Sequence, residues 1–114
     1  MTGLTYHLVL RAFWQAQDSS RAYSPEPMQA GREAFIHCTD GALNLAATAN
    51  RHYRHTPGDF IALVIDLYKV TAPTKYEDAG KIYPHIYGPL NRDAIIGLVE
   101  VPRTSEGEFL PPLS

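Results

Sequence analysis

A chain of 114 residues is long enough for one domain around a single core and too short for two. Ten basic residues against twelve acidic ones give a net charge of −2, without the basic footprint that a phosphate backbone requires, so nucleic acid is not an expected partner. A lone cysteine cannot form an internal disulfide, and the longest apolar run, residues 60–65, falls far short of the roughly 20 residues that cross a bilayer; a cytoplasmic protein with no membrane partner is expected.

The stretch LTYHLVL (4–10) alternates as a strand, with Tyr6, Leu8 and Leu10 on one side and Thr5, His7 and Val9 on the other. RAFWQAQ (11–17) reads as a short helix. Residues 18–31 hold two prolines, three serines and a glycine, the composition of an irregular surface connection of the length that often carries function. AFIHC (34–38) is a second strand, with Phe35 and His37 on one face and Ile36 and Cys38 on the other. Thr39 and Asp40 then supply the cap and first-turn acid of a helix over about 40–54. Leu43, Ala46, Ala47, Asn50 and Tyr53 fall at helical spacing toward the sheet. The cluster RHYRH (51–55) closes this helix, and its cations, His52 and His55 included, suit the negative dipole end.

DFIALVIDL (59–67) is nearly all apolar and rich in β-branched residues, as a central strand covered on both faces would be. TKYED (74–78) reads as a short edge strand, residues 79–93 as an ordered loop packed on the body, and AIIGLVEVP (94–102) as the last long strand. From residue 103 onward a loosely held tail is expected, apart from Phe109 and Leu110. The order of elements predicts one α+β domain over residues 1–114, with two helices packed on a mixed or antiparallel sheet.

Three of the five histidines, His7, His37 and His85, lie on or beside predicted strands in apolar, aromatic surroundings. Imidazoles that converge on one pocket suit acid/base work or the binding of a polar ligand. Strand alternation sends Cys38 into the core as a small hydrophobe and His37 to a cleft, just before a helix whose first amides, preceded by Thr39, can hold an anion. In YPHIYGPL (83–90) two prolines restrict the backbone, so His85 and Tyr87 are expected to form a rigid pocket wall. The paired spacings of zinc ligands are absent and no metal is expected; a zinc-dependent hydrolase built on the three histidines is the lesser alternative.

The combination of YHL followed by Trp14, FIHCT opening a helix with ATANRHY, KYED, and YPHIYGPLNRDAII resembles the small bacterial family labelled domain of unknown function 952, over nearly the whole chain. More distantly, the chain is similar to the ADP-ribosyltransferase fold, in which a first strand carries a histidine, a second leads into a small-residue helix, and a late strand carries a glutamate. That resemblance implies a cleft lined by His7, Trp14, His37, Thr39, His85 and Tyr87 that binds NAD or a related nucleotide. In it, His7 would orient the ribose and His37 or Tyr87 would pack on the base. Glu77 or His85 would assist charge development or proton transfer during ADP-ribosyl transfer or NAD glycohydrolysis. Glu77 and Glu100 are the candidates for the late glutamate. A non-catalytic module for a small metabolite is the alternative from a different class.

Overall fold

The computed structural model describes residues 3–112. Its first sheet has the order β1 (Leu4–Leu10), β3 (Phe60–Asp66), β6 (Ile95–Glu100), and its second the order β2 (Ile36–His37), β5 (Pro84–Ile86), β4 (Thr74–Tyr76). Every pairing within these sheets is antiparallel. Among the described residues, three helices, α1 (Arg11–Ala16), α2 (Glu26–Gln29) and α3 (Ala42–Tyr53), and two short 3-10 turns, Leu67–Lys69 and Arg92–Ala94, complete the fold. A radius of gyration of 13.4 Å is that of one compact domain of this length. The α+β expectation therefore stands, with two antiparallel sheets and a third, four-residue helix inside the segment read as irregular.

The central strand β3 explains the layering. Its odd residues Ile61, Leu63 and Ile65 join Val9, Tyr23, Ile36, Cys38, Ile86, Leu90 and Ala94 in a core between the two sheets. Its even residues Phe60 and Ala62 join Leu45, Ala49, Val101 and Phe109 in a second core under α3. Both faces of β3 are thus covered, which is why its sequence is a nearly unbroken apolar run. In β1 the same parity sends Thr5, His7 and Val9 to the first core and Tyr6, Leu8 and Leu10 to the second. The sheets meet where Tyr6 and Thr39 exchange backbone hydrogen bonds, Tyr6 N–H to Thr39 O at 3.0 Å and Thr39 N–H to Tyr6 O at 2.8 Å.

Several local expectations are corrected. Thr39 does not cap α3: it is buried and its backbone pairs with β1, while Gly41 stands at the N-cap position with φ +89°, a conformation that L side chains rarely adopt. The helix buries Leu45, Ala46 and Ala49, whereas Leu43 is 77% exposed and Tyr53 41% exposed, so the inward face is rotated from the expected one. Leu45 fixes that phase by packing with Phe60 and Phe109. Within the expected loop 79–93 lies β5, the middle strand of its sheet; Pro84 occupies its first position, the place where a strand tolerates a missing N–H.

The C-terminal segment is fastened as far as it is described. The Asn50 side chain donates to the Phe109 carbonyl (3.0 Å) and accepts from the Phe109 N–H (2.7 Å). The Arg103 guanidinium lies 4.2 Å from the Phe109 ring centroid and donates to the carbonyls of Thr56, Gly58 and Arg54. Phe109 is 2% exposed as a result, in a segment expected to be loosely held. No helix among the described residues is long and apolar enough to cross a membrane.

Candidate functional site

The second sheet has one face in the core and one turned outward. Alternation sends Ile36, Cys38 and Ile86 inward, and Phe35, His37, His85 and Tyr87 outward. Cys38 is buried with its thiol pKa pushed up by burial, which suits an inert core residue. Antiparallel register sets His85 directly between His37 on one side and Lys75 on the other.

Four rings on that outer face touch one another. Phe35 stacks on His85 with centroids 4.0 Å apart and an interplanar angle of 14°. It meets His37 at 4.7 Å and Tyr87 at 5.1 Å, and His37 meets His85 edge-on at 5.3 Å. Glu77, just beyond β4, reaches into this cluster, where it accepts hydrogen bonds from the Tyr87 hydroxyl and from His85 Nδ1–H, the latter at 3.0 Å. The phenol bond first, then the imidazole bond, hold the Glu77 carboxyl below the usual carboxylate range, and the same contact pushes the Tyr87 phenol up. Glu33 accepts from His37 Nε2–H at 3.0 Å, and Lys75 Nζ lies 5.1 Å from the Tyr87 ring centroid. With these donors assigned, the remaining ring nitrogens, Nδ1 of His37 and Nε2 of His85, are the ones not bound to a glutamate.

Of the residues expected to line one cleft, His37, His85 and Tyr87 come together, with the expected catalytic Glu77 beside them, and His7, Trp14 and Thr39 do not join them. His7 is 7% exposed in the core. Its Nδ1–H donates to the His37 carbonyl (2.7 Å) and its Nε2 accepts from the Tyr23 hydroxyl (2.9 Å). Burial lowers its pKa to about 4, so the ring is neutral at pH 7 with the proton on Nδ1. Trp14 packs on Tyr23 (5.4 Å between centroids) under the Arg92 guanidinium (4.8 Å) and lines a different groove, of about 280 Å³, with Ile96 and Leu98 of β6. Glu100 is an ion-pair partner of Arg11, which also holds Asp59 at 2.6 Å.

Phe35, Glu33 and Lys75 belong to the outer face but did not stand out as site residues in the sequence. Phe35 carried a signal, since it lies two residues before His37 on the same strand face. Glu33 and Lys75 carried none, because their places follow from the β2–β5–β4 pairing. Among the described residues no group of three or more His, Cys, Asp and Glu side chains is arranged to hold a metal ion.

Similar folds are found in structures of protein CC0527 from Caulobacter crescentus. The crystal structure of a double mutant gives a TM-score of 0.74 at 21% identity, covering 94% of this chain and 93% of that one. The unmutated crystal form gives 0.72 at 21% identity, and the solution NMR structure 0.70 at 22% identity, covering 94% of this chain and 90% of that one. No curated protein matches significantly. The sequence matches the family described as protein of unknown function (DUF952) over residues 8–98, a span that runs from β1 through β6 and holds the whole aromatic face. The chain belongs to the DUF952 family.

Proposed function

We propose that this protein binds NAD or a related nucleotide on the outer face of the second sheet, with the nicotinamide ring beside Phe35, His85 and Tyr87. The observation that carries the reading is Glu77: an ionised carboxylate held inside an aromatic cluster by His85 and Tyr87. Aromatic faces and a fixed negative charge together favour a flat, positively charged ring over a neutral one, and oxidised nicotinamide is such a ring. The ring nitrogens of His37 and His85 not bound to a glutamate suit a polar carboxamide such as nicotinamide carries. Lys75 at the rim supplies a cation for the phosphate side.

A carboxylate in this position also faces the positive charge that develops on the ribose when the bond between its C1′ and the nicotinamide nitrogen breaks. Release of free nicotinamide is therefore the companion assay to binding. Thermal unfolding with NAD at millimolar concentration is the primary test. Saturation near 100 times the dissociation constant adds about 2.7 kcal/mol and raises the midpoint by several degrees. Oxidised NAD is expected to shift the midpoint more than NADH does, and His85→Ala to abolish the shift. No shift with wild-type protein rejects the reading. Binding without nicotinamide release assigns the face to a non-catalytic metabolite module.

A further inference from the structure

His7 sits where three pieces of chain cross. Its Nδ1–H holds the carbonyl of His37, the residue that carries one ring of the outer face. Its Nε2 holds the Tyr23 hydroxyl, and the backbone of Tyr23 exchanges two hydrogen bonds with Leu90, both at 2.8 Å, three residues beyond Tyr87. A single buried imidazole on β1 is thereby bonded directly to β2 and, through Tyr23, to the exit of β5. The strand it holds is short: β2 pairs with β5 at Ile36 and His37, and beyond them Cys38 N–H bonds to the Pro84 carbonyl (3.1 Å) and Asp40 N–H to the Ile82 carbonyl (2.8 Å). These bonds and the Tyr6–Thr39 bridge hold the chain after His37, while the His37 carbonyl itself is taken by His7.

We infer that His7 is a positioning residue for the aromatic face, setting the place of the His37 ring against His85 through the Nδ1–H bond to the His37 carbonyl. It does so from the core, without reaching the ligand. The neutral Nδ1–H tautomer is the one that fits, because the carbonyl can only accept and the Tyr23 hydroxyl can then donate to Nε2. For ligand affinity the inference rests on the proposed nucleotide reading; for ring placement it stands alone.

Two substitutions separate the bonds. An asparagine amide reaches the position of Nδ1, and a glutamine amide that of Nε2, so His7→Asn keeps the His37 bond and His7→Gln keeps the Tyr23 bond. The ring signals of His37 and His85 are followed by proton–nitrogen NMR, and NAD affinity by calorimetry. His7→Gln is expected to move both ring signals and weaken NAD binding about tenfold, and His7→Asn to leave the signals in place with affinity within about threefold of wild type. A purely structural His7 would make both variants alike. Unmoved ring signals in His7→Gln, or equal movement in both variants, overturn the inference. If wild-type protein does not bind NAD, the nucleotide reading fails and the NMR comparison still decides the role of His7. Should His7→Gln not fold, His7→Met, which removes both bonds, is compared with Tyr23→Phe, which removes only the hydroxyl and leaves the Nδ1–H bond to the His37 carbonyl. His37 and His85 signals displaced in His7→Met and left in place in Tyr23→Phe are then expected, and unmoved signals in His7→Met, or equal movement in both variants, overturn the inference.

Discussion

The two sheets of this domain differ in strand length and in how many of their faces are covered. In the first, β1 and β3 pair along seven residues, and β3 lies between two cores. In the second, the strands are two or three residues long, one face is packed, and the other holds a cluster of four rings around Phe35 and a carboxylate. Burial accounts for the residues of β3, which is covered on both faces. On the second sheet's outer face it does not, because ionised Glu77 and four rings in one cluster do little for the core. The contrast separates a sheet that stabilises the domain from one that the domain holds in place, and each prediction below tests that separation.

The largest effect belongs to the first sheet. Leu63 is 0% exposed at the centre of β3, and Leu63→Ala is expected to lower stability by about 3–5 kcal/mol through lost burial and a residual cavity, measured by urea unfolding. Phe35→Ala on the outer face should cost clearly less. Equal costs at the two positions would erase the distinction between the sheets.

Next in size is the pH dependence set by His7, which joins the sheets. Its folded pKa of about 4 lies below the ordinary 6.5, so between those values the unfolded chain binds a proton that the folded chain does not. Stability is full above pH 6.5 and falls as the pH drops toward 4, by about 3 kcal/mol at most. His7→Gln should flatten this part of the stability–pH curve, while His85→Ala should leave it nearly unchanged. A slope that persists in His7→Gln would move the proton uptake to another group.

A smaller effect is expected in the second core. Asn50→Ala removes both side-chain bonds to the Phe109 backbone and should cost about 1–2 kcal/mol, with faster amide exchange from Arg103 to Phe109. The outer face should not respond, since these contacts lie on the other side of β3.

The same contrast explains what the sequence made legible. Long strands with an uninterrupted or alternating apolar pattern, β1, β3 and β6, could be read almost to their ends. The second sheet could not: β5 is three residues starting at Pro84, too short for periodicity to register, and β2 is two. Histidine content pointed to His37 and His85, and strand alternation separated His37 from Cys38. His7 bore the same signal for the opposite reason, being a core histidine with both ring nitrogens bonded. Composition does not distinguish these cases, because one imidazole needs a buried carbonyl and a phenol while the others need open space. The fastening of Phe109 by Asn50 and Arg103 was equally hidden, since its partners lie about 50 residues apart.

The finest test changes one charge and almost no volume. Glu77 lies at the surface, so Glu77→Gln keeps an acceptor for the Tyr87 hydroxyl and should alter stability by less than about 0.5 kcal/mol. What it removes is the negative charge, and a carboxylate beside an aromatic ring matters most to a ligand whose own ring is positive. Affinity for oxidised NAD is therefore expected to fall about tenfold, affinity for NADH much less, and affinity for ADP-ribose, which lacks the ring, hardly at all. Uniform weakening of all three would assign Glu77 to shaping the face. Selective weakening would assign it to reading the charge, the one property of the outer face that neither packing nor register requires.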